Sequence, residues 1–145
     1  MKCTTGCRSC GDLTIVDYFG VGFRTNYSND ADCEWIVAPS TSGLRFLVFQ
    51  SNFNTQKDKD VVRVVQCTAL DCTSPQDLAV LSGTFSTTRI VPLGSGFAKV
   101  TFTSDSSEQG TGFKAVLRSV RQLQILFVFC HRGSLVDVNK IMLTV

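Results

Sequence analysis

The chain has a single histidine, His131, among its 145 residues. A Ser-His or Cys-His nucleophile pair and a multi-histidine metal site are therefore excluded from the body of the chain, because both need imidazole at the reacting or ligating position. No glycine-rich loop follows a strand in the manner that cradles phosphate. Basic clusters are missing too: from Cys10 to Val120 there are nine Lys and Arg against eleven Asp and Glu, a net of −2, and the excess that brings the whole chain to +2 lies in the flanks. A nucleic-acid footprint needs basic residues gathered on one surface, so no nucleic-acid partner is expected. The longest late apolar run, Ile125 to Cys130, is far below the roughly 20 residues of a membrane span, and Met1 to Asp12 holds no apolar stretch of the kind found in signal peptides. Paired carboxylates with no other sign of a pocket do not make an enzyme, and the chain is expected to be non-catalytic.

What the sequence does have is cysteine and strand patterning. Seven cysteines in so short a chain point to an oxidising compartment, and an odd number leaves one thiol over or paired outside the chain. Export character without an export signal leads us to expect a piece of a longer protein. Hydrophobic residues make up 43% of the chain and charged residues 18%, a composition that folds.

Cys3, Cys7 and Cys10 crowd the first ten residues, as at the end of a disulfide-rich repeat; Cys7 and Cys10 lack the second pair that a zinc finger requires. From Leu13 onward period-two alternation and turn residues at intervals of about eight to twelve positions predict many short strands and no long helix. Ala98, Val100 and Phe102 alternate with Lys99 and Thr101, and Phe113, Ala115 and Leu117 alternate with Lys114 and Arg118, so each segment offers one face to a core. Val61 to Val65 is β-branched and of strand length. Leu44 to Phe49 is nearly all apolar and is expected to be covered on both faces. The segments 51–60, 73–77 and 104–110 are turn-rich. The pattern is that of an all-β sandwich or barrel. Three regions are expected: 1–9 as a preceding cysteine-rich repeat or linker, 10–120 as the domain, and 121–145 as a tail outside it.

Five motifs recur in a fixed order: Cys10-Gly11-Asp12-Leu13; Asn26-Tyr27 followed by Cys33-Glu34-Trp35-Ile36-Val37; Phe49 and Phe53; Phe102 to Ser107; and Gly112-Phe113-Lys114-Ala115. On these motifs the sequence resembles the CUB domain family over residues 10–119. The resemblance implies an antiparallel β-sandwich of two sheets, the spermadhesin-type jelly-roll. It implies a non-catalytic recognition module of a secreted protein or of the ectodomain of a membrane protein. A disulfide between Cys10 and Cys33 is implied as well. The family's usual second disulfide is not matched, and Cys67 and Cys72 are expected to form a small local bridge, with two buried free thiols as the alternative.

Many members of the family hold calcium at one end of the sandwich. Carried over position by position, that site falls on Asp60 and Asp105, with Gln56 where the family has glutamate and Asp58 close by. Calcium takes six to eight oxygen ligands and favours anionic ones, so the glutamine reduces the charge available. The plainer reading is that the two aspartates only cap turns. The resemblance further implies an extracellular protein partner that offers a Lys or Arg side chain to the carboxylates. Asn26-Tyr27-Ser28 is an N-glycosylation sequon, and Trp35 is expected to pack in the core. Two other functions compete with calcium-assisted protein binding: a structural spacer without metal, and an accessory domain of an extracellular protease whose catalytic part is elsewhere.

Overall fold

A computed structural model describes residues 3–13 and 18–120, and the backbone of 130–131 and 134–135. In chain order the strands are β1 (Cys7–Arg8), β2 (Gly11–Asp12), β3 (Tyr18–Val21), β4 (Asp32–Val37), β5 (Leu44–Phe49), β6 (Phe53–Asn54) and β7 (Val61–Cys67). They continue as β8 (Gln76–Leu81), β9 (Thr84–Phe85), β10 (Arg89–Leu93), β11 (Phe97–Thr103), β12 (Phe113–Val120), β13 (Cys130–His131) and β14 (Ser134–Leu135). Two five-stranded sheets form the sandwich, one in the order β1-β3-β12-β5-β10 and the other β2-β4-β11-β7-β8. Pairing is antiparallel except where β2 runs parallel to β4. The expected tail, 121–145, lies outside the described residues apart from the β13 and β14 backbone.

Alternation carries the core. Ala98, Val100 and Phe102 are wholly buried, as are Val62 and Val64 from the neighbouring strand. Phe113, Ala115 and Leu117 meet them from the other sheet. Trp35 is fully buried, 5.1 Å from the Phe19 ring and 6.0 Å from Phe113, and its Nε1 donates to the Arg8 carbonyl at 2.9 Å. Aromatic pairs at such separations add about 0.5–1.5 kcal/mol each beyond the area they bury.

β5 differs from expectation. Leu47 and Phe49 are buried, but Leu44 is 74% exposed and Phe46 and Val48 are half-buried, because the outer face of their sheet meets solvent. Arg45 is the exception on the inward row. Its guanidinium is buried and donates to the carbonyls of Ala38, Gly94 and Gly96, tying three loop ends together at one pole of the sandwich.

The cysteine pairing also corrects the expectation. Cys10 bonds Cys3, and Cys33 bonds Cys7. The cause is register: β2 aligns Gly11 with Trp35, which puts Cys10 level with Glu34 rather than with Cys33, and leaves Cys33 to Cys7. Cys7 lies on β1 in the facing sheet, so its bond to Cys33 joins the two layers. Residues placed ahead of the domain by sequence thus supply an edge strand of it. The local bridge between Cys67 and Cys72 forms as expected.

Candidate functional site

β7 begins immediately after Asp60, and β11 ends just before Ser104 and Asp105, so the two aspartates arrive at the same pole although 45 residues separate them. Thr55 and Gln56 follow β6 and enter a turn in which the amide of Asp60 donates to the Gln56 carbonyl at 3.1 Å. This turn returns the chain over the end of the sandwich and sets Gln56 beside Asp60. Gly110 holds the facing loop close: a Cβ there would lie 2.3 Å from the Asn54 carbonyl oxygen, so a side chain is excluded.

Asp60 is wholly buried. Its Oδ1 accepts the Asp105 backbone N–H at 2.9 Å, and its Oδ2 accepts the hydroxyl of Tyr27, itself buried. The Tyr27 oxygen in turn accepts the Gln56 amide at 3.0 Å. Burial first, and then the hydrogen bond to Asp60, push the Tyr27 phenol above its ordinary value of 10.0. Asp105 Oδ1 accepts the backbone N–H and hydroxyl of Ser107 at 2.8 and 2.9 Å, which fixes the turn 104–107. Gln56 Nε2 donates to Glu108 Oε2 at 3.3 Å, while Gln56 Oε1 is buried and has no hydrogen-bond partner. A cleft of about 370 Å³ opens beside this group, with Asn54, Gln56, Lys57 and Glu108 on its walls.

The sequence-derived trio is therefore brought together. Asp58, close in sequence, is exposed, and its amide donates to Ser82. Two residues were missed: Tyr27, whose hydroxyl links Asp60 to the Gln56 backbone, and Glu108, whose carboxylate holds the Gln56 amide group. Tyr27 stood in a recognised motif, but nothing local to it signals the contact; Glu108 was one of several polar residues in a turn.

Calcium fits this donor set on two observations. Among the described residues no Lys or Arg forms an ion pair with Asp60, and a carboxylate taken out of water gains when a positive charge is added to its hydrogen bonds. The orphaned Gln56 Oε1 is the neutral oxygen that a hard cation takes. Among the described residues no three carboxylates bring oxygens within 4.8 Å of one another; the one group of that kind is Cys3, Cys7 and Cys10, all three in disulfides.

Asn26, of the sequon, is exposed at the same pole, with its amide Nδ2 donating to the Gln109 carbonyl at 3.3 Å. No helix among the described residues is long and apolar enough to cross a membrane.

No family model matches the chain. Rat cubilin is 31% identical over 112 residues, a stretch that takes in 74% of this chain and 3% of cubilin. Among solved structures, the CUB1-EGF-CUB2 domain of human MASP-1/3 superposes with a TM-score of 0.55 at 25% identity, over 72% of this chain and 42% of that one. The MASP-1 CUB2 domain bound to Ca²⁺ matches with a TM-score of 0.59 over 78% of this chain and 100% of its own length; at 13% identity that likeness concerns the fold.

Proposed function

The chain carries a CUB domain, and on that premise we propose that it is a non-catalytic, extracellular protein-binding module of a larger secreted or membrane-attached protein, assisted by calcium at the Gln56, Asp60 and Asp105 pole. The observation that supports this reading is the wholly buried Asp60 carboxylate with no cationic partner among the described residues, set beside the unpartnered Gln56 Oε1. A bound calcium ion supplies the positive charge that this arrangement lacks. Asp60 and Asp105 are its anionic ligands and Gln56 Oε1 a neutral one. Tyr27 orients Asp60, and Ser107 orients Asp105.

With the carboxylates fixed, the half-buried Asp105 and the exposed Glu108 present acceptors to a partner's Lys or Arg, a charge-assisted contact stronger than a neutral one. The mutual fixing of these groups keeps the ordering cost of binding low.

Thermal unfolding of the full chain in calcium and in chelator tests the reading. At a calcium concentration a hundred times the dissociation constant, the native state gains about 2.7 kcal/mol. Identical melting curves at millimolar calcium and in chelator would refute calcium assistance and leave the metal-free spacer.

A further inference from the structure

Away from the acidic pole, the outer face of the sheet β1-β3-β12-β5-β10 carries a second set of features that share no residue with the calcium site. Arg8 and Lys114 both lie in register with Gly20, one on each side, so the two cations stand on the same face about 9.5 Å apart, two strand spacings. Gly20 between them is the floor of a notch and must stay bare: its φ is 138°, and a Cβ would lie 2.1 Å from the Phe113 carbonyl oxygen. Both cations lean on the ring of Phe23, the Arg8 guanidinium carbon 4.6 Å and the Lys114 Nζ 5.2 Å from its centroid. Together with Tyr18 and Gln50 they line a pocket of about 250 Å³. Neither cation forms a salt bridge among the described residues.

The rows that follow along the strands are ordered. Two residues on, Tyr18, Val116, Val48 and Ile90 lie side by side across four strands; Val116 is buried and Val48 half-buried, while Tyr18 is 41% and Ile90 61% exposed. The next row brings Arg118 alongside Phe46, and the last brings Val120 alongside the exposed Leu44. Among the described outward-facing positions of these strands, every charged residue is basic.

We propose that this face is a second docking surface, for an extended segment of a partner protein that alternates acidic and apolar residues at every second position. The alternation follows from the rows: an acid over Arg8 and Lys114, an apolar side chain over Tyr18 and the edge of Val48, an acid over Arg118, and an apolar side chain over Leu44. Successive same-face residues of an extended chain advance by about 6.8 Å, the spacing of the rows themselves. Rings that hold the cations in place reduce the ordering cost of an ion pair, and a guanidinium against a ring still offers its edge N–H groups to a carboxylate. The chain's own apolar run, Ile125 to Cys130, is followed by His131 and Arg132 and contains no acid, so it lacks the charge this face selects.

The test uses the full chain in chelator, which separates it from the calcium reading, with acetyl-Glu-Ser-Leu-Ser-Glu-Ser-Leu-amide as probe, followed by isothermal titration and amide chemical shifts. The peptide is expected to bind with shifts centred on Gly20 and Lys114, to weaken as salt rises, and to lose about tenfold in affinity in Arg8→Gln and in Lys114→Gln, variants that melt like the parent. Equal binding of the peptide with both Glu replaced by Gln overturns the proposal. So does binding of a heparin tetrasaccharide in place of the peptide, which makes the ligand a glycan. Concentration-dependent self-association that Lys114→Gln abolishes makes the occupant a second copy, and stronger peptide binding by Phe127→Glu makes it the chain's own terminal run; either result overturns the assignment to a separate partner.

Discussion

Replacing Tyr27 with Phe removes one oxygen and unseats two groups. Asp60 Oδ2 loses its hydroxyl donor, and the Gln56 amide loses its acceptor. A hydrogen bond to a charged group contributes about 1.5–3 kcal/mol and a neutral one about 0.5–1.5, so the expected loss in chelator is about 2–4 kcal/mol. For a domain of this size that corresponds to a fall of about 10 °C in melting temperature. In saturating calcium the loss is expected to be smaller, because the ion then compensates Asp60. Differential scanning calorimetry in the two buffers measures both values. The pH dependence supplies a second reading. The folded pKa of Tyr27 is raised above the unfolded 10.0, so its contribution is complete below pH 10.0 and is lost as pH climbs through the folded value. Tyr27→Phe should flatten that part of the alkaline unfolding curve. A loss below about 1 kcal/mol in chelator, with no difference between the buffers, refutes the view that Asp60 relies on the tyrosine and on a cation.

Asp105→Asn keeps an oxygen for the Ser107 contacts but removes a charge; it should leave stability in chelator within about 0.5 kcal/mol of the parent while weakening calcium binding at least tenfold by titration. Removing the interlayer bond with Cys7→Ser and Cys33→Ser together should cost about 3.5 kcal/mol in denaturant unfolding, from the 26-residue separation it closes; non-reducing peptide mapping of the parent should recover Cys7 with Cys33 and Cys3 with Cys10. Expressed through a secretory pathway, the chain should lose one glycan-sized increment of mass in Asn26→Gln, and an unchanged mass would show the sequon unused.

Alternation was the legible part of this sequence, because a half-buried strand must place apolar residues at every second position. Ala98, Val100, Phe102 and Phe113 could be assigned to the core from their neighbours alone. Leu44 to Phe49 could not, since an apolar run reports that a strand exists but not how many of its faces are covered. The cysteines failed for a different reason. Their pairing rests on the register of β1 and β2, each only two residues long, too short for any periodic signal. Asp60, Asp105 and Gln56 were found through motif position, whereas Tyr27 joins them through a contact 33 residues distant that no local pattern encodes.

Arg45 gives the earlier picture a further consequence. The pole where it binds three carbonyls is held by a charge built into the polypeptide, which no chelator can remove. The opposite pole, at Asp60, relies under the proposed function on an ion that can leave. Depleting that ion should therefore act asymmetrically: amide exchange and protease cutting should quicken at 56–60 and 104–110 while 38–45 and 94–96 stay protected. If calcium binds as proposed, the module would have one end that responds to the calcium level around it and one that does not, and a neighbour attached through the Arg45 end would be insulated from changes that a ligand at the Asp60 end would register.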